Sequence, residues 1–336
     1  MITTNPFDVE RLDAYLRHAV PGLEGSPELT PIAGGQSNPT FFLSYANRRL
    51  VLRKQPASVL PSAHAVDREF RVMNALRNTD VPVPTMVAYC DDREVIGTPF
   101  YVMDRLEGRV FNDPTLPGVS PADRRAMYLN QAEVLARLHH VDWQGVGLGD
   151  YGKPGNYFTR QLARWTKQWA LSKTREIPEI DRLIEWLPAH LPAEEPTTIA
   201  HGDYRIGNLM FHATEPRVIG VLDWELSTLG DPLADAAYSC LGWHLPRSHT
   251  MGVQDAGFVE LGIPTEAEYL AHYDARSGRP GRMQPFHIAF SLFRLAVISE
   301  GIAQRARDGV ASAANAAAIG ETSVQMARCA VAEAGL

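Results

Sequence analysis

The chain has 336 residues, 45% of them hydrophobic, and a net charge of -7 spread without long like-charge blocks. That is enough apolar material for one large or two smaller cores. It argues against a general nucleic-acid binder, which would carry a basic stripe. Cys90, Cys240 and Cys329 are far apart and form no CxxC pair, which argues against a disulfide framework or a zinc site.

In chain order, Met1 to Pro6 lacks the basic and apolar regions of a signal peptide. Phe7 to Val20 has amphipathic helical spacing and stops before Pro21-Gly22. Three strand-like runs follow at Glu28 to Ala33, Thr40 to Ala46 and Arg49 to Lys54, punctuated by Gly34-Gly35 and by Ala46-Asn47. Ala63 to Arg77 reads as a helix with Phe70, Met73 and Leu76 on one face and charges opposite. Thr85 to Cys90 and Pro99 to Asp104 return to strand. Strands, one helix and more strands describe a small antiparallel sheet with a packed helix.

After Gly108 the chain turns helical. Ser120 as N-cap with Pro121 at the first helical position opens a helix running to about His140. Phe158 to Leu171 and Glu179 to Leu187 are further helices, with short strands at Thr197 to Ala200, Leu209 to His212 and Val218 to Leu222. From Pro232 onward the pattern is mainly helical. The apolar run Ile288 to Ile298 is broken by Arg294 and falls short of a bilayer span. A cytoplasmic location with no membrane partner is therefore expected. The domains expected are residues 1–104 and 105–336.

The chemistry concentrates in His201-Gly202-Asp203-Tyr204-Arg205-Ile206-Gly207-Asn208, an HxDxxxxN string on a loop between strands. Fifteen residues after Asn208, Asp223 ends the apolar strand Val218 to Leu222. Phosphoryl transfer needs little covalent help from a protein. It needs nucleophile, γ-phosphate and metal ions held in line with their charge neutralised. One carboxylate near an acceptor hydroxyl, with one Asn and one Asp offering hard oxygens to Mg²⁺, is the minimum set. Either piece alone reads better as a strand-end turn or a helix start. The internal spacing, the hairpin and the strand-terminal Asp together favour the functional reading.

These residues resemble the aminoglycoside phosphotransferase and choline kinase-like superfamily. His201-Gly202-Asp203 stands where protein kinases have His-Arg-Asp, and Asp223-Trp224-Glu225 where they have Asp-Phe-Gly. The form most similar is the kinase-like domain fused to some acyl-CoA dehydrogenases. Segments Leu50 to Lys54, Pro61 to Glu69, Trp224 to Asp235 and Ala289 to Arg294 carry that likeness. The resemblance implies an α+β, protein kinase-like bilobal fold with a small antiparallel-sheet N-lobe for nucleotide and a larger, mainly helical C-lobe for catalysis and substrate. It implies ATP as phosphoryl donor and Mg²⁺ as cofactor.

Carried over residue by residue, it makes Asp203 the catalytic base, and Asn208 and Asp223 the Mg²⁺ ligands. Gly34, Gly35, Gln36, Ser37 and Asn38 become the loop over the phosphates. Arg53 matches the strand position that holds a phosphate-binding Lys in protein kinases, with Glu69 as its partner. Strand alternation lets only one of Arg53 and Lys54 face the cleft. Met103, Asp104 and Leu106 fall where backbone groups would meet adenine. Asp235 would brace the catalytic loop, or else simply complement a helix dipole. His139 and His140 read as a packed or capping pair.

The expected activity is ATP-dependent phosphorylation of a small-molecule hydroxyl. The second half mixes Arg160, Arg164, Lys167, Lys173, Arg282, Arg294, Arg305 and Arg307 with Trp165, Trp169, Trp224, Trp243 and Phe293. Basic and aromatic groups together suit an anionic or hydroxyacyl-CoA-like acceptor better than a polycation. An aminoglycoside kinase, a metal-dependent hydrolase using His201, Asp203, Asp223 and His139 or His140, and a catalytically silent binding module are the alternatives.

Overall fold

The computed structural model describes residues 7–32, 38–56, 66–193, 196–278, 282–308 and 316–336. The chain divides into two compact units. One is formed by the residues up to Gly108 together with Ile219–Glu225, the other by Arg109–Val218 and Leu226–Leu336. The first unit thus ends at Gly108, where the chain turns helical, and takes back a short later segment.

In the first unit, Asp8 caps helix α1 (Val9–Ala19) by accepting the Glu10 and Arg11 amides. Strands β1 (Glu28–Pro31), β2 (Thr40–Ser44) and β3 (Arg49–Lys54) precede helix α2 (Val66–Leu76), strand β4 (Met86–Cys90), the one-turn helix α3 (Arg93–Ile96) and strand β5 (Phe100–Asp104). The sheet order is β1-β2-β3-β5-β4 and every pairing is antiparallel. Leu50 and Leu52 on one face of β3 join Leu12 and Leu16 of α1 in the core. The pleat turns Val51 and Arg53 to the opposite face. The register then sets Arg53 beside Tyr101 of β5.

Helix α2 corrects one expectation. Its buried face is Val66, Glu69, Val72, Met73 and Leu76, with Phe70 only half-buried against the Tyr89 ring. A carboxylate expected on the charged side lies at the centre of the packed one.

The second unit begins after the two-residue strand β6 (Gly108–Arg109). Ser120 caps helix α4 (Pro121–His140), accepting the Asp123 amide, with Pro121 in the first turn as the sequence predicts. Helices α5 (Tyr157–Ser172) and α6 (Pro178–Ala189) lead to strands β7 (Thr198–Ala200), β8 (Leu209–His212), β9 (Val218–Val221) and β10 (Thr228–Gly230). Helices α7 (Pro232–His244), α8 (Glu266–Ser277), α9 (Pro285–Arg307) and α10 (Ala316–Glu333) complete the unit.

β10 returns antiparallel to β7, Thr228 opposite Ala200, which pins both ends of the intervening loops. Helix α9 has 23 residues and is long and apolar enough by composition to cross a membrane, but 83% of that stretch is buried inside the protein. The run Ile288 to Ile298 is therefore the middle of a central helix. An antiparallel sheet with a packed helix in one unit and helices around short hairpins in the other make an α+β protein.

Candidate active site

The HxDxxxxN segment leaves β7 at Ala200 and turns sharply. Gly202 sits at φ +83, and a Cβ there would lie 2.6 Å from the Leu226 carbonyl oxygen, so only glycine fits. The turn is held from below by Asp235 in the first turn of α7. Its two carboxylate oxygens accept the His201 amide at 2.5 Å and the Gly202 amide at 2.8 Å. His139 of α4 approaches the same carboxylate at 3.6 Å. Burial works against the Asp235 charge, yet the His139 and His201 imidazoles and the Gly202 amide hold its pKa below the usual range. Arg294 of α9 is buried, lies over the Trp165 and Tyr238 rings, and donates to the Gly202 carbonyl.

On this platform Asp203 and Asn208 face each other. The segment Ile206–Asn208 is a single 3₁₀ turn, closed by the Asn208 amide on the Arg205 carbonyl at 2.9 Å. That turn brings the Asn208 side-chain NH₂ to Asp203 Oδ2 at 2.7 Å and to the Asp203 carbonyl at 2.8 Å. With both amide protons directed at Asp203, the Asn208 carbonyl oxygen is the end left to offer a ligand. Burial pushes the Tyr238 phenol up, and the neighbouring Asp203 charge adds to the shift. Arg205 Nε stands 3.6 Å from Asp203 Oδ1.

In the first unit, Arg53 is clamped between carboxylates. Its Nη2 donates to Asp223 Oδ1 at 2.7 Å, and its Nε stands 3.3 Å from Glu69 Oε2. Glu69 also accepts the Asn38 side-chain amide at 2.7 Å and the Tyr101 hydroxyl at 3.0 Å. Burial drives the Glu69 pKa up to about 7 against the Arg53 charge. Burial opposes the guanidinium as well, but Tyr101, Glu69 and Asp223 raise its pKa, so Arg53 stays charged. Lys54 turns to the other face, with its ammonium over the Phe7 ring at 5.4 Å, and burial lowers its pKa. Of the two basic neighbours, Arg53 therefore meets Glu69 and Asp223.

Asp223 has φ +64, a left-handed conformation that Asp tolerates better than most residues. Trp224 is fully buried beside it, its indole N–H on the Val221 carbonyl at 2.9 Å. The Val221 amide in turn donates to Pro82 at 2.8 Å.

Gly34, Gly35, Gln36 and Ser37 lie outside the described residues. Asn38 is buried on Glu69 rather than presented to solvent. After β5, the Asp104 amide is spent on Thr85 and the Arg105 amide on Arg49, while the Asp104 carboxylate takes Arg48 at 2.9 Å. Met103 and Leu106 are half-buried next to them.

Among the described residues no group of three or more His, Cys, Asp or Glu is arranged to hold a metal. His139 is bonded to the Tyr273 hydroxyl at 2.8 Å and His140 to the Ala136 carbonyl at 2.9 Å, so both imidazoles are engaged in packing. The hard oxygens of Asn208 and Asp223 fit Mg²⁺ by donor type.

Several of the basic and aromatic residues that suggested an anionic acceptor are engaged within the fold. Lys173 pairs with Glu176, Arg160 donates to Lys153, and Arg307 donates to Thr174. Trp169 and Phe293 are core. The functional residues the sequence reading missed are Tyr238, which no motif marks, and Arg294 as a brace. A buried arginine in an apolar helix was the available signal for the second.

The chain matches the model of the phosphotransferase enzyme family, APH, over residues 28–282. It is 47% identical to mouse acyl-CoA dehydrogenase family member 10 across 96% of this chain and 30% of that protein. It is 40% identical to rat acyl-CoA dehydrogenase family member 11 across 98% of this chain and 44% of that protein. The chain thus spans less than half the length of these relatives. A crystal structure from Ralstonia eutropha JMP134, assigned as an aminoglycoside phosphotransferase, superposes with a TM-score of 0.90 at 48% identity, covering 98% of both chains. With its kinase-like α+β fold and the Asp203–Asn208 loop in place, the chain belongs to the phosphotransferase enzyme family typified by the aminoglycoside phosphotransferases.

Proposed function

We propose that this protein is an ATP- and Mg²⁺-dependent kinase of a small hydroxylated metabolite, with Asp203 as the base that takes the hydroxyl proton. The observation that carries the reading is the Asn208 amide locked onto Asp203 at 2.7 Å above the buried Asp235 brace. A carboxylate fixed in this way is oriented before substrate arrives, which is where a general base gains its advantage. As the acceptor oxygen bonds to the γ-phosphorus, the bond from that phosphorus to the β–γ bridging oxygen breaks, ADP leaves with the electron pair, and the hydroxyl proton passes to Asp203.

Asn208 and Asp223 would hold Mg²⁺ through oxygen, and the metal would supply charge neutralisation to the phosphates of the ATP substrate. Arg53, anchored by Glu69, would bind those phosphates with a planar fork that Lys54 could not replace. Backbone groups near Met103, Asp104 and Leu106 would meet adenine. The names of the relatives favour an acyl-CoA-type hydroxyl compound as acceptor.

A coupled ADP-release assay with Mg²⁺-ATP over hydroxyacyl-CoAs, choline-like alcohols, sugars and aminoglycosides tests the proposal. Turnover is expected with hydroxyacyl-CoAs, and Asp203→Asn should lower kcat by roughly 10²–10⁴. Phosphorylation of aminoglycosides alone would overturn the acceptor assignment and leave the mechanism standing. Absence of both turnover and a thermal shift with Mg²⁺-ATP would overturn the kinase reading.

A further inference from the structure

A cleft opens in the second unit beside the catalytic loop. It is a shallow recess open to solvent, with ≈ 410 Å³ of free space when the open mouth is included. Arg205, Ile206 and Gly207 of the loop form one wall, and Tyr128, Gln131, Ser239, Trp243 and Thr250 are among the residues opposite. Three features mark it as a built recess rather than a packing fault.

Arg205 lines the cleft and approaches Asp203, with its guanidinium lying over Gly207. A Cβ on Gly207 would lie 2.3 Å from Arg205 Nη1, so the guanidinium rests where a side chain would be. The side chain remains 36% exposed, and its contact with Asp203 at 3.6 Å is longer than a hydrogen bond. It is a permanent cation with donors to spare. Gln131, by contrast, is 2% exposed, and its side-chain Oε1 has no hydrogen-bond partner. A buried amide oxygen without a partner asks for a donor. Trp243 and Met251 supply apolar walls, and exposed Thr250 stands on the rim.

We infer that this cleft binds a small anionic molecule through Arg205, with Gln131 Oε1 accepting an O–H or N–H of the same ligand. The anion is a carboxylate or a phosphate, since a planar guanidinium fork matches either. Building on the kinase reading, this ligand is the acidic portion of the phosphate acceptor, and Arg205 is the residue that selects acidic over neutral acceptors. Arg205 lines the cleft and its Nε stands 3.6 Å from Asp203 Oδ1, so an anion seated there lies beside the loop that would take the hydroxyl proton. The positive charge needed by an acidic acceptor is then supplied from within the catalytic loop, not by the helical arginines that the sequence brought forward.

The test separates binding from turnover. Thermal shifts of the intact protein, measured without ATP, compare γ-hydroxybutyrate, hydroxypropyl phosphate and neutral butanediol. The two acids distinguish carboxylate from phosphate. An acid is expected to stabilise the protein and butanediol is not. Arg205→Gln and the rim-filling Thr250→Trp should remove that shift. Gln131→Leu should weaken it while leaving the unliganded Tm unchanged or raised, because the lost oxygen has no protein partner. In the ADP-release assay, Arg205→Gln should raise KM for an acidic acceptor roughly tenfold, with kcat less affected.

Equal shifts from acid and diol, no shift from either, or shifts that survive both Arg205→Gln and Thr250→Trp would overturn the inference. An acid-specific shift without ADP release would support the cleft and count against the kinase reading with these acceptors.

Discussion

Arg53 shows how one side chain can be fixed for a task by its neighbours. Glu69, Tyr101, Asn38 and Asp223 surround it within 3.3 Å contacts or shared hydrogen bonds. A lysine at 53 carries the charge but not the fork, so it cannot serve Glu69 and Asp223 together. Arg53→Lys is expected to cost about 1–2 kcal/mol in urea unfolding and to raise the KM for ATP roughly tenfold. Arg53→Ala should be worse for stability, because it leaves Glu69 buried without its counter-charge. That choice between Arg53 and Lys54 was only half legible in the sequence. Alternation says that the two point to opposite faces, while the location of Glu69 says which face matters. Phe70 misled the reading of α2 for the same reason, since apolar spacing alone could not show that the buried row includes a carboxylate.

At the scale of elements, the catalytic loop depends on α7 and α9. The Asp235 carboxylate satisfies two amides of a turn that has no sheet partner of its own, and Arg294 satisfies a carbonyl. Asp235→Ala would strand those amides and His139, so a loss of about 3–5 kcal/mol is expected by chemical denaturation. Circular dichroism should still report the helices. A second junction ties three helices through His244, which meets Glu266 at 2.9 Å and Glu333 at 2.7 Å. Burial lowers the His244 pKa, but the two carboxylates outweigh it and hold the group at about 9. A His whose folded pKa is raised contributes stability that is full below its unfolded value and is lost as pH rises through the folded value. Stability is therefore expected to fall by about 2–3 kcal/mol between pH ~6.5 and ~9. His244→Gln should flatten that slope in Tm measured against pH.

The molecule as a whole divides at Gly108, where the chain turns helical, but one later segment returns to the first unit. Segment Ile219–Glu225 belongs to the first compact unit, bringing Asp223 to Arg53 and the Val221 amide to Pro82. A fragment ending at Gly108 lacks that segment. It should show poor amide dispersion and a lower Tm than the first unit within the intact chain. Adding residues 219–225 as a peptide should raise its stability if the segment docks, whereas a well-folded, stable fragment would contradict the division.

Sequence alone determined the phosphotransferase-type loop, because HxDxxxxN and a strand-terminal Asp are local patterns whose spacing fixes a turn. It also determined the helix and strand order, since burial of one face leaves a period of two or 3.6 in the residues. The Asp203–Asn208 bond follows almost directly from that local turn. What only the tertiary structure decided is whatever joins distant segments: Asp235 under His201, Arg294 on Gly202, Asn38 on Glu69, and Asp223 on Arg53. A buried polar group is identified by the partner that satisfies it. Those partners lie 31 to 170 residues apart in the chain. No periodicity in the chain records such pairings: the resemblance offered Asp235 as a brace or a helix-dipole partner, and only the fold decides between the two and adds Arg294.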